Sequence, residues 1–325
     1  MEVADTAATA DRLGYQTAWT PEFYTRSAIV TLAAMGARTT SCRVGSSIAY
    51  AVGRSPLILA TEARSLDEVC GGRLVLGLGT GTRRMMQSWH GVDPDGPASR
   101  LEELVPLLRR LWRLDEGPVS HHGRFYDVEV SPTAEADPPR RRLIPIFTAG
   151  VNPRMVEVAG RVADGFLGHP LFTTDYVDGV VRPALAAGAD KAGRAVHDVE
   201  TVAIVICAVD DDEDRARREA AAQIAFYAAP STYAHVLDAA GFGAAGTTIR
   251  EAFRVGDHDA MVGAVTDPMI DRIAVAGPPD QVTERLARYD GTVDHVVVYP
   301  PSFRLSAARC RELAERLLAA AAPAP

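Results

Sequence analysis

The chain has 325 residues, 47% of them apolar and 23% charged, the proportions of an ordinary globular protein with room for one large domain or two smaller ones. Its formal net charge of −8 argues against a nucleic-acid binder, which would show an excess of basic residues. No apolar run approaches the ~20 residues of a membrane span, and no charged-then-apolar leader opens the chain, so no membrane partner and a cytoplasmic location are expected. In chain order, a helix ending at Leu13 and closed by Gly14 comes first, followed by strands at residues 17–20 and 43–48. Ser55 and Pro56 supply the N-cap and first-turn signals for the helix of SPLILATEARSLDEV, which runs toward a strand at residues 74–78. The segment SRLEELVPLLRRLW places Leu101, Leu104, Val105, Leu108, Leu111 and Trp112 on one helical face. Further strands are expected at residues 144–149, 165–167, 201–209 and 293–299, before a closing helix in LSAARCRELAERLLAAAA.

The continuously apolar strands suit a parallel sheet buried on both faces, and their alternation with helices argues for right-handed βαβ units. Seven strands is one short of an eight-stranded barrel, and the chain starts inside a helix. Stretches at about residues 85–142 and 210–271 interrupt the alternation and are expected to shape the active-site face of a single domain over residues 1–325. The acidic run at residues 210–219 reads as a solvated helix start.

The stretch GRLVLGLGTGTRRM looks like a dinucleotide fingerprint, but Gly77, Gly79 and Gly81 fall at every second position and no third glycine completes G-x-G-x-x-G. Residues Gly79, Thr80, Gly81 and Thr82 combine close backbone approach with hydroxyls and exposed N–H groups, which suits a polyhydroxyl or phosphate tail; a tight turn at a strand end is the plainer alternative. In AGVNPRM, Gly150, Val151 and Asn152 precede a helix starting near Pro153, whose N-terminus can face an anion. Arg83, Arg84 and Arg154 are candidate counter-charges, or plain surface arginines. The four cysteines (Cys42, Cys70, Cys207, Cys310) form no C-x-x-C pair, and His121-His122 sits in a loop without an H-x-x-x-H partner, so buried free thiols and no metal site are expected. His90 and His169 fall near strand C-terminal loops, where they could line a pocket.

Five segments in order carry a family resemblance: ADRLGYQTAWTPE, RVGSSIAYAVGRSPLILATEARSLDEVCGGRLVLGLGTG, FYDVEVSP, PIFTAGVNPRMVEVAGRVADGF and AGPPDQVTERLARYDGTVDHVVVY. Together they cover roughly half the chain and resemble the luciferase-like monooxygenase superfamily, in its branch using the deazaflavin coenzyme F420. The resemblance implies an α/β fold, a (β/α)8 TIM barrel of the bacterial-luciferase-like type, whose first strand precedes the opening helix and is missing from this chain. It implies F420 held by Gly79, Thr80, Gly81 and Thr82 and, on the phosphate side, by Gly150, Val151 and Asn152. A non-prolyl cis peptide, matching Ser47–Ile48, presses on the ring in the family. Glu22 falls in an acid position, as a cofactor contact and candidate catalytic group; buried, its pKa is expected to rise toward acid/base duty. Phe23 stands where relatives carry a histidine, so that Phe23 and Tyr24 line the substrate side. The implied function is hydride transfer between F420 and an unidentified small organic substrate. An FMN-dependent monooxygenase and a non-catalytic cofactor-binding paralogue are the alternatives, and a homodimer is the expectation carried over from relatives.

Overall fold

Short apolar runs bounded by turn residues become strands, and the amphipathic stretches between them become helices, in a computed structural model that describes residues 2–135 and 137–323. The chain forms two compact units, Met1–Leu167 with Ala184–Val199 and Gly168–Pro183 with Glu200–Pro325.

In the first unit the strands are β1 (Thr17–Thr20), β2 (Arg43–Ser46), β3 (Ala49–Tyr50), β4 (Leu74–Gly79), β5 (Val119–His122), β6 (Asp127–Val130), β7 (Ile146–Ala149) and β8 (Gly165–Leu167). Strands β1, β2, β4, β7 and β8 pair in that order, all parallel, and β3 also lies parallel to β4. Parallel neighbours need crossovers, and helices Ala28–Gly36, Pro56–Val69, Pro97–Leu111 and Pro153–Val162 supply them. Local chemistry sets the helix starts. Ser55 Oγ accepts from Ile58 N at 3.3 Å ahead of Pro56, and Asn152 Oδ1 accepts from Met155 N at 3.0 Å ahead of Pro153. Leu32, Leu59, Leu104, Leu108 and Ile146 bury this unit's helix–sheet core together with Leu74, Leu76 and Leu78 of β4.

The alternation along β4 explains its glycines. With the leucines turned to the helices, Gly77 and Gly79 face the opposite side. A Cβ on Gly77 would stand 1.8 Å from the Ser46 carbonyl oxygen, and one on Gly79 would stand 2.3 Å from Ile48 Cδ1. Between the pairs Gly45↔Val75 and Ala49↔Leu78 the ladder advances four residues on one strand against three on the other. The Ser46 hydroxyl bridges the gap, accepting from Gly77 N at 2.9 Å and donating to Gly77 O at 2.7 Å. The strand expected over 43–48 therefore ends at Ser46 and resumes at Ala49, and the Ser47–Ile48 peptide between them is cis.

In the second unit the long strand β9 (Glu200–Val209) is flanked by β10 (Ala274–Gly277) and β11 (His295–Tyr299), both parallel to it. Helices Glu213–Ala228, Gly243–Val255 and Asp267–Ile273 fill the 210–271 stretch, and Ala307–Ala320 closes the chain.

Three expectations need correction. Strand β10 was not anticipated, because it follows helix Asp267–Ile273 directly with no turn residue to mark it. His121 and His122 lie in the antiparallel hairpin of β5 and β6, not in a loop. Asp210 is fully buried rather than solvated, and pairs with Arg215 and Arg309 at 2.6 Å each. The cysteines are free as expected, three of them buried; burial pushes the Cys42 and Cys70 thiols up to about 11.

Asp11, near the end of helix Glu2–Arg12, anchors the approach to β2. Its carboxylate accepts from the N–H groups of Thr40 (2.6 Å), Ser41 (3.1 Å) and Cys42 (2.6 Å) and from the hydroxyls of Thr40 (3.0 Å) and Ser41 (2.7 Å). Partial burial acts to raise its pKa, but these bonds outweigh it and hold the group well below the usual carboxylate range. Asp11→Ala is expected to cost about 1–2 kcal/mol, since the exposed Thr40 and Ser41 donors regain water and only the Cys42 N–H is part-buried. Because the folded pKa is depressed, the stabilisation is present above the ordinary carboxylate value and is lost on acidification below it. Urea midpoints equal for the wild type and the variant at neutral pH would refute this.

Candidate active site

Strand pairing brings four segments to one edge of the first unit. Thr20 opposite Ser46, Tyr50 opposite Gly79 and Leu78 opposite Thr148 set the C-terminal ends of β1, β3, β4 and β7 side by side. Main-chain bonds fix the two chain turns there, from Glu22 N to Ile48 O at 3.0 Å and from Ser47 N to Thr20 O at 2.9 Å. In parallel α/β sheets, sites form at these carboxyl ends.

Glu22 is the most connected residue of this edge. Its carboxylate receives both terminal nitrogens of Arg54, at 2.7 and 2.8 Å, the Tyr50 N–H at 2.8 Å and the Ala28 N–H at 3.4 Å. Arg54 Nε in turn lies 2.8 Å from Glu62. Burial acts to raise the Glu22 pKa, yet the Arg54 guanidinium and the Tyr50 N–H outweigh it and leave it lowered. The expected rise toward acid/base duty is thus overturned. Glu22 is ionised at neutral pH and has no proton to donate.

The loop after β4 is shaped by its neighbours. Gly81 takes φ +70°, and a Cβ there would meet the Tyr50 ring at 3.2 Å. Thr80 is buried, and Thr82 caps helix Arg83–His90 by accepting from Met85 N at 3.3 Å. On the neighbouring strand end, a Cβ on Gly150 would stand 2.2 Å from Met155 Cβ, and Val151 and Asn152 lead into helix Pro153–Val162. Each cap occupies one first-turn N–H and leaves the other end groups of its helix pointing outward. Of the candidate counter-charges, Arg83 pairs with Asp95 at 2.9 Å on the surface and Arg154 reaches Ser99 Oγ at 3.3 Å, while Arg84 is exposed.

The Phe23 and Tyr24 rings pack tilted by 42° with centroids 4.3 Å apart, and Trp89 meets both edge-on at 5.3 and 5.4 Å. Thr20 Oγ1, Thr148 Oγ1 and His90 Nε2 are buried without a hydrogen-bond partner at or beside the same edge. Sequence reasoning missed Arg54, Tyr50, Trp89 and both threonines. Only the AVGRSP turn, with an arginine just before a helix N-cap, offered any signal for Arg54.

The paired histidines are structural. His121 bonds Glu103 at 3.0 Å and His122 bonds Asp127 at 2.8 Å, and no metal-binding group of His, Cys, Asp or Glu occurs among the described residues. In the second unit, His169 stacks on Tyr233 at 4.1 Å and accepts from Leu171 N through Nδ1. Burial among aromatic rings, with repulsion from His235, pushes it down to about 3, so it is neutral across the physiological range. No helix among the described residues is long and apolar enough to cross a membrane.

A candidate site at the carboxyl ends of parallel strands in βα units places the chain in the α/β class. The family model for luciferase-like monooxygenases matches residues 1–295, and the chain belongs to that family. An uncharacterized protein of Mycobacterium tuberculosis is 32% identical, over 94% of this chain and 91% of its own. A 5,10-methylenetetrahydromethanopterin reductase of Methanolobus tindarius is 30% identical, over 88% of this chain and 86% of its own. The solved coenzyme F420-dependent tetrahydromethanopterin reductase of Methanopyrus kandleri superposes with a TM-score of 0.79, at 24% identity over 98% of this chain and 93% of its own. That likeness establishes the TIM-barrel-like luciferase fold, and with these relatives the family-level assignment is an oxidoreductase.

Glu22→Gln is expected to lower stability by about 2–3 kcal/mol, the loss from breaking a largely buried pair discounted for partial exposure. With its folded pKa below the ordinary 4.5, Glu22 stabilises above that value and ceases to as the pH falls through the lowered one. Wild type should therefore lose more stability than the variant on acidification from neutral pH. Parallel pH profiles in chemical denaturation would contradict the ion pair.

Proposed function

We propose that this chain is an F420-dependent oxidoreductase transferring a hydride between the deazaflavin and a small organic substrate. What carries the reading is the convergence on one strand edge of the 79–82 loop, the 150–152 loop and the Glu22–Arg54 pair. The naming of F420-dependent reductases among the relatives supports the choice of cofactor.

The residues present fit the group. Two capped helix N-termini at neighbouring strand ends, preceded by glycines, suit a phosphorylated polyhydroxyl tail. The partnerless hydroxyls of Thr20 and Thr148 suit the polar edge of a ring. When bound, F420 supplies the two-electron hydride chemistry.

In this reading Gly79, Thr80, Gly81 and Thr82 hold the ring and its side chain, and Gly150, Val151 and Asn152 hold the phosphate side. Ser47 and Ile48 form the wall behind the ring. Glu22 acts through position: ionised and locked to Arg54, it fixes the Tyr50 main chain against the cofactor loop. Phe23 and Tyr24 face the substrate. A proton required by the reaction then comes from a group other than Glu22.

The test is a fluorescence titration of the purified protein with F420 and, separately, with FMN. Micromolar binding of F420 with little or none of FMN is expected. Preference for FMN would replace the deazaflavin reading with an oxygenase, and binding of neither would sink the enzyme reading altogether.

A further inference from the structure

In the second unit, His169 stands two residues past the carboxyl end of β8, the kind of position at which parallel α/β folds build their sites. The turn that carries it is fixed. Gly168 N donates to the Val202 carbonyl of β9 at 2.8 Å, and the approach is so close that a Cβ on Gly168 would stand 2.9 Å from that oxygen. The His169 carbonyl accepts from Phe172 N at 2.9 Å, and burial of Leu171 and Phe172 anchors the turn.

The ring is fixed as well. It stacks on Tyr233 with centroids 4.1 Å apart and meets Tyr227 edge-on at 5.2 Å. Its Nδ1 accepts from Leu171 N at 3.3 Å, and an accepting ring nitrogen carries no hydrogen. In the neutral imidazole the hydrogen therefore sits on Nε2. Crowding by the surrounding rings, with repulsion from His235, keeps the group neutral.

Nε2 has no hydrogen-bond partner among the described residues, yet it is not one of the sealed, partnerless atoms of the fold: part of the imidazole stays open to solvent. His169 is thus an N–H donor of fixed tautomer and fixed direction, with no acceptor left on its ring. Tyr227 and Tyr233, likewise part-exposed, flank it with aromatic surface. Holding the turn does not need this donor, because the Nδ1 bond and the main-chain bonds already do so.

We propose that His169 is the hydrogen-bond donor of a ligand subsite in the second unit, where Nε2–H takes the carbonyl oxygen of a small ketone or aldehyde beside the Tyr227 and Tyr233 rings. A carbonyl oxygen only accepts, which matches a ring that at this point only donates. A neutral donor held in place by its surroundings needs no reorganisation when negative charge builds on that oxygen. Only the identification of this ligand as the hydride acceptor rests on the proposed F420 function; the subsite itself does not.

The experiment is NMR on the full-length protein carrying isotope-labelled histidine, titrated with cyclohexanone and with methylenecyclohexane, in which a methylene group replaces the oxygen. The His169 signals, identified by their loss in His169→Phe, should show the hydrogen on Nε2. Cyclohexanone should shift them saturably and bind about tenfold more tightly than methylenecyclohexane, the fold-change of one hydrogen bond. His169→Phe keeps a stacking ring and removes the donor, so it should bind the two ligands equally. A hydrogen on Nδ1, equal affinity of the two ligands for wild type, a preference that survives His169→Phe, or no saturable binding of either would each overturn the proposal. The wild-type affinity comparison stands even if the phenylalanine variant fails to fold. F420 titrated into the same samples separates the two readings: its failure to bind removes the proposed function and leaves the cyclohexanone result intact.

Discussion

The Glu22–Arg54 pair is the constraint on which the candidate site depends. It joins the chain after β1 to the turn after β3, and through Glu62 to helix Pro56–Val69. Taking two charges out of water is costly, and their attraction offsets that cost only where geometry and further hydrogen bonds are good. Here they are. Both carboxylate oxygens meet guanidinium nitrogens below 3 Å, and two main-chain N–H groups complete the shell. The same shell explains why Glu22 is a poor acid. A group bound this fully in its ionised form serves geometry rather than proton transfer.

A second constraint sits one layer deeper, where β2 and β4 touch. Gly77 lets the Ser46 carbonyl approach to a distance that any side chain would forbid, and the Ser46 hydroxyl supplies the bonds that the shifted ladder lacks. The offset carries the chain through Ser47 and Ile48 and places Tyr50 against Gly81. The glycines that imitate a dinucleotide fingerprint thus do a different job. Two permit close packing inside the sheet, and the third takes a left-handed turn.

Much of this was legible in the sequence, for identifiable reasons. The seven strands of the repeating βα pattern announce themselves as apolar runs, and Ser55, Pro56, Asn152 and Pro153 mark helix starts by chemistry that acts over three or four residues. Strand β10 did not show, because four small apolar residues after a helix carry no period of their own. The segments that meet at the candidate site could be read from strand ends, but its electrostatics could not. Glu22 and Arg54 lie 32 positions apart, and nothing local ties them. Burial alone implied a raised pKa for Glu22. The partner that reverses the sign is visible only once the chain is folded.

The same logic bears on what this edge can recognise. Arg54 is shared between Glu22 and Glu62, so the charges at that point are spent on one another with one negative charge in excess, which disfavours an anionic ligand there. Phe23 adds an aromatic face that Trp89 meets edge-on at 5.3 Å, and burial keeps the nearby His90 imidazole neutral. An apolar pocket discriminates weakly between similar bodies, whereas a buried polar atom left unpaired discriminates strongly against a ligand that cannot reach it. Under the proposed function, specificity at this edge is expected to concentrate in the few buried polar atoms that the fold leaves without partners.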